Sequence, residues 1–222
     1  MVAGQSNPGN SCCSVTGELA FRAMSDASEQ LTNYAGEPAP GIVRVGAFAG
    51  FYQRFEDLIA SSTRMGLYFI HSRRWRENHD ASIKAFLERS ETTIEVFLPD
   101  LESHELMFSL ERHFEDGPQI PGLVVDAYRY FARLAREFRK PSELWLFSRY
   151  PTFSFYRFDE RAVIALYSNT AAKKGAPALE VTMDSLLGRF LDVDVEDLKK
   201  ECRKRAPEDL EAVIADSGAL SS

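Results

Sequence analysis

Cysteine is scarce in this 222-residue chain, which holds only Cys12, Cys13 and Cys202. An odd count with two adjacent residues offers no ordinary disulfide framework, so the three read as reduced thiols. Nor is there an apolar run near the roughly 20 residues that cross a bilayer. Residues 1–21 lack a cationic start followed by an apolar stretch, so no secretory signal is read there. Together these absences predict a cytoplasmic protein. Positive charge is also in short supply: 26 Lys and Arg stand against 33 Asp and Glu, for a net charge of -7 and a pI near 5.2. Broad nucleic-acid binding needs clustered, uncompensated cations, and this balance argues against it, although a local basic patch stays open. The chain has no Gly-x-Gly-x-x-Gly turn, no phosphate loop and no Gly-x-Ser-x-Gly elbow. Nucleotide-dependent enzymes of the common kinds are therefore unsupported.

What is present is an ordinary globular composition, 45% hydrophobic and 27% charged, with 16 Phe for packing. A chain of this length can bury one core without staples. Residues 1–40 are rich in Ser, Gly, Asn and Pro and read as a flexible leader with one possible short helix over 18–31. Residues 41–205 carry the domain. Residues 206–222 read as a disordered acidic tail.

From residue 42, short apolar runs alternate with amphipathic stretches. Strands are predicted over 42–47, 65–71 and 93–98, with helices over 51–60 and 79–90 between them, Asn78 serving as N-cap of the second. Strand, helix, strand implies parallel pairing through right-handed crossovers. Two helices follow. One begins after Ser103 and turns Leu106, Met107, Leu110 and Phe114 inward; the other covers 122–139 with Leu123, Ala127, Phe131, Leu134 and Phe138 as its stripe. Strands are then expected over 143–148, 153–158 and 162–167, the last two joined as a hairpin by Asp159-Glu160-Arg161. A short strand over 179–183 and two helices, 184–191 and 195–205, complete an α/β fold with a mixed central sheet flanked by helices on both faces.

This order of elements over residues 42–200 resembles one half-domain of the phospholipase D superfamily. That family carries His-x-Lys-x4-Asp followed by x6-Gly-Gly/Ser-x-Asn on the hairpin, where the His attacks phosphorus and the Lys and Asn stabilise developing charge. The matching spacing in residues 151–169 puts Asp159 at the Asp and Asn169 at the Asn. Thr152 stands at the nucleophile position, Ser154 at the Lys position, and Leu166-Tyr167 at the Gly-Gly/Ser pair. A threonine hydroxyl does not replace an imidazole without a neighbouring base, and serine brings no positive charge to a phosphate. The resemblance thus implies a degenerate half-domain, a pseudoenzyme without cofactor. It also implies a homodimer, because two halves of the active enzymes meet at the motif, here near Asp159 and Asn169.

A second cluster, Ser72, Arg73, Arg74 and Trp75, falls at the C-terminal end of a predicted parallel strand, where open α/β sheets bind ligands. Arginine forks suit phosphate or carboxylate, and Trp75 could stack a base. A solvated loop with Trp75 folded over the core edge is the plainer reading and is favoured, yet this cluster is the first choice for a ligand site. His79, His104 and His113 lack the spacing of metal ligands, and the acidic run Asp192, Asp194, Glu196 and Asp197 reads as first-turn charge of the last helix, so no metal is expected. The leading expectation is a non-catalytic regulatory module of a bacterial-type cytoplasm that recognises a small phosphorylated ligand or a protein partner. The alternative is a phosphodiesterase-like hydrolase or transferase using non-standard residues in the same cleft, with His71 or His79 as base.

Overall fold

A computed structural model describes residues 41–114, 117–139, 142–168 and 175–216 of the chain. The expected leader, Cys12, Cys13 and Asn169 lie outside the described residues. Alternating or continuous apolar runs form eight strands: β1 (Ile42–Ala47), β2 (Arg64–Tyr68), β3 (Thr93–Pro99), β4 (Ser142–Phe147), β5 (Phe153–Phe158), β6 (Arg161–Leu166), β7 (Pro177–Thr182) and β8 (Arg203–Arg205). They make one sheet of order β1-β7-β6-β5-β2-β3-β4-β8. The pairs β2–β3 and β3–β4 are parallel and the rest antiparallel, so the sheet is mixed as expected.

Seven α-helices surround it among the described residues: α1 (Tyr52–Ser61), α2 (Arg73–Asn78), α3 (Asp80–Glu88), α4 (His104–His113), α5 (Ile120–Phe138), α6 (Leu186–Glu201) and α7 (Leu210–Asp216). The side chains of β5 alternate between faces. Tyr156 packs among Phe55 and Trp75 from α1 and α2. Arg157 points the other way and pairs with Asp192 of α6. On that second face Lys199 of α6 pairs with Glu95 and lies 4.7 Å from the centre of the Trp145 ring. Helices therefore cover both faces.

Four expectations about the chain path need correction. β1 does not pair with β2; it is the outer strand, antiparallel to β7, because its partner is chosen by contact with Ala178, Leu179 and Val181 far along the chain. The β2 strand ends at Tyr68, three residues short of the expected His71. The two helices expected over 184–205 are one helix, α6, opened by Ser185, whose Oγ accepts from the Gly188 N–H at 3.0 Å. Asp192, Asp194, Glu196 and Asp197 thus lie inside this helix rather than at a helix start, and residues 203–205 form β8 instead of a last turn. The tail is ordered through residue 216: after a 3-10 turn at Pro207–Asp209, Leu210, Val213 and Ile214 of α7 are buried. Their i, i+3, i+4 spacing is a helical apolar stripe that the surrounding acidic residues conceal.

Candidate functional site

The parallel strands β2, β3 and β4 all end at one rim of the sheet, and β5 begins there because it runs antiparallel to β2, pairing Tyr68 with Phe155. The rim gathers residues from distant parts of the chain. Thr152 precedes β5, and its carbonyl accepts from the Tyr167 N–H at 3.1 Å. The Ile70 N–H in turn donates to the Tyr167 hydroxyl at 3.4 Å. Beyond Tyr68 the chain leaves the sheet and turns through Ser72, which has a left-handed backbone with φ 43°.

Residues 73–78, expected as a loop, form α2. Arginine and glutamate are good helix formers, and Arg73 and Glu77 add an i,i+4 ion pair at 2.8 Å. Trp75 anchors this helix. It is 4% exposed and packs against Tyr156 at 4.9 Å and Phe55 at 5.6 Å between ring centres. The indole is thus packed into the core edge, and it also lines the cleft beside Ser72, Arg73 and Arg74. Arg73 and Arg74 face the cleft, and Arg74 has no ion pair among the described residues.

The cleft at this rim has a volume of about 610 Å³ and is lined by His71, Ser72, Arg73 and Arg74 on one side and by Phe48, Phe114 and Ile120 on the other. Its volume falls in the range that holds small ligands. Just beneath it is a network of hydroxyls. Ser72 Oγ and Tyr156 OH are 2.5 Å apart, and the buried Ser154 adjoins Tyr156 and Tyr167. Burial pushes the Tyr156 phenol up to about 12, against the smaller opposing effect of its bonds to Ser72 and Ser154. Burial also raises the Tyr167 phenol. Both are protonated at neutral pH, and neither is a base for a serine or threonine hydroxyl.

Among the described residues, the motif positions Thr152, Ser154 and Asp159 do not converge. Thr152 lies at the rim but opens onto a separate groove of about 320 Å³ with Arg149, Tyr150 and Asp194. Ser154 lies below the rim. Asp159 is at the far end of β5 from Thr152, about 20 Å away at the rise of a strand, so the two motif positions do not share one site within this chain. Its carboxylate is used inside the fold: it accepts from the Thr63 N–H at 2.9 Å, the Arg64 N–H at 2.8 Å and the Thr63 hydroxyl at 3.2 Å. Asp159 also takes the left-handed conformation of the two-residue hairpin turn, φ 47°, which Asp tolerates better than most residues.

His79 lies in the core and does not line the rim cleft. It is 2% exposed, its Nδ1 bonds Glu56, and its ring stacks on Tyr52. The Nδ1 of His71 accepts from the Arg73 N–H at 3.2 Å. Among the described residues no group of three or more His, Cys, Asp or Glu side chains is placed to hold a metal ion. Nor is any helix there long and apolar enough to cross a membrane. Cys202 is half-buried, and burial pushes its thiol up to about 12, which makes it an unreactive thiol.

No protein-family model matches the chain, and no curated protein matches it. Solved structures similar to it include TrmBL2, an archaeal chromatin protein with a novel mode of DNA binding (12% identity, 86% of this chain and 66% of that one, TM-score 0.48). They also include Nuc, a phospholipase D family member from Salmonella typhimurium (10% identity, 73% of this chain and 96% of that one, TM-score 0.46). A third is phosphatidylserine synthase from Haemophilus influenzae Rd KW20 (13% identity, 80% of this chain and 45% of that one, TM-score 0.49). This chain thus spans less than half the length of the synthase and about two thirds of TrmBL2. At these identities the likeness concerns the fold, and the chemistry of the site is set by this chain's own side chains.

Proposed function

We propose that the chain is a non-catalytic binding module whose rim cleft takes a small phosphorylated ligand, with regulation rather than turnover as its output. The observation that carries this reading is the Ser72–Tyr156 pair. The hydroxyl that faces the cleft has as its partner a phenol kept protonated by burial rather than a base, and the Nδ1 of the neighbouring His71 is taken by the Arg73 N–H. Arg74, without a carboxylate partner among the described residues, supplies a charged fork for the phosphoryl group. The apolar wall of Phe48, Phe114 and Ile120 excludes water from the rest of the ligand.

Native mass spectrometry of the full chain isolated from its own host tests this reading. The expected spectrum has a retained phosphorus-containing small molecule that is lost from Arg74→Ala. Ligand-free protein in both, or a ligand retained equally by the variant, contradicts it.

A further inference from the structure

Away from the rim, the outer surfaces of α2, α3 and α5 enclose a second groove, of about 740 Å³. Its charges are unbalanced. Six cationic and four acidic side chains line it, a net of +2 in a chain whose total is -7. Two of the cations are already matched: Arg73 pairs with Glu77 at 2.8 Å and Lys84 with Asp80 at 2.8 Å. That leaves Arg76, Arg129, Arg133 and Arg136 against Asp126 and Glu211, and none of these four arginines makes an ion pair among the described residues.

Arg129, Arg133 and Arg136 follow one another at spacings of four and three along α5, on a single face. Like charges so placed repel one another and weaken a helix, so the row is a local cost without a counter-anion. Arg76 is the sharper case. It is 5% exposed, and its Nε donates to the His71 carbonyl at 2.9 Å, yet its Nη2 is buried without a hydrogen-bond partner. Its guanidinium lies 5.0 Å from the centre of the Tyr130 ring, and that of Arg133 lies 5.5 Å from the same ring. Tyr130 thereby holds two guanidinium groups in place at the groove. A buried charged donor left unmet is unfavourable unless something supplies its partner.

We infer that the groove between α2, α3 and α5 is a second binding site, for a small oligophosphate anion held by the Arg76, Arg129 and Arg133 guanidinium groups. Guanidinium forks match phosphoryl oxygens bidentately, and the groove has the volume of a small-ligand site. A long nucleic-acid backbone fits the inference less well, because the net negative charge outside the groove repels it. Arg73 lines both this groove and the rim cleft, so α2 is the wall they share.

Calorimetric titration of the full chain with sodium pyrophosphate at low ionic strength tests the inference. Saturable binding is expected, weakened roughly tenfold or more in the double variant Arg129→Ala/Arg133→Ala, the loss that follows from charged hydrogen bonds. Both residues are on the surface of α5, so the variant should fold; Arg76→Lys, which keeps the charge but not the fork, should weaken binding in the same direction. In Arg74→Ala, which removes any binding at the rim, the part of the heat that depends on Arg129 and Arg133 should persist, and that separates the two sites. The inference is overturned by absence of saturable heat or by equal affinity in the double variant. It is also overturned by loss of binding in Arg74→Ala alone, which would locate the anion at the rim, or by tighter binding of a short DNA duplex that displaces pyrophosphate.

Discussion

The Ser72 and Tyr156 hydroxyls meet at 2.5 Å where the chain leaves β2 and turns into α2. The pair ties the start of α2 to the middle of β5. Tyr156→Phe removes the hydroxyl's bonds to Ser72 and Ser154 and leaves Ser72 at the cleft, where water can replace the phenol. A loss of about 1 kcal/mol is expected in urea unfolding, against about 3–5 kcal/mol for Tyr156→Ala, which empties an aromatic site of the core.

Asp159 gives a contrasting prediction. Its three accepted bonds fix the start of β2 and its backbone is left-handed, so Asp159→Ala should lower stability by about 2 kcal/mol. Asp159→Asn, which tolerates the same backbone and keeps one acceptor oxygen, should lose less. Chemical denaturation orders the three proteins, and ligand binding at the rim, some 20 Å off by strand geometry, should be the same in all of them.

Gly188 in the first turn of α6 touches β7. A Cβ there would lie 2.2 Å from the Thr182 carbonyl oxygen and 2.5 Å from the Met183 Cα, both backbone atoms that cannot rotate aside. Gly188→Ala is expected to cost about 3 kcal/mol despite the higher helix propensity of alanine. A thermal melt measures it.

The edge strand β8 should respond to acid. Lys204 Nζ lies 2.7 Å from Glu143 Oε1, and that bond, outweighing burial, holds the Glu143 carboxyl below its ordinary range. A depressed carboxyl contributes stability that is complete above its unfolded value, about 4.3, and lost as pH falls through the folded value. Urea midpoints measured from pH 7 downward should therefore fall for the wild type and fall less steeply for Lys204→Ala.

Much of the sheet was legible in the sequence, because β2, β3, β5 and β6 carry continuous or alternating apolar residues whose period is local. The hairpin at Asp159 was legible for the same reason. The place of β1 was not, since its exposed Ile42, Val43 and Val45 read like any other strand while its partner lies about 135 residues on. The α2 helix was hidden by its shortness: six residues with Trp75 as the one apolar side chain show no helical stripe, and only the fold makes Trp75 their buried anchor. The spacing rule put Thr152 at the nucleophile position, next to the start of β5, but it could not reveal that Ser154 is buried or that Asp159 serves the backbone of β2. The arginine row of α5 could be read from residues 129, 133 and 136 alone. What made it a groove, the approach of Arg76 from 50 residues away, depends on tertiary packing.

A phosphodiesterase assay separates binding from turnover at the rim. The full chain is given bis(p-nitrophenyl) phosphate across neutral pH beside the double variant Ser72→Ala/Thr152→Ala. Neither protein is expected to hydrolyse the ester above the rate in buffer. Hydrolysis by the wild type that disappears in the double variant would contradict binding without turnover.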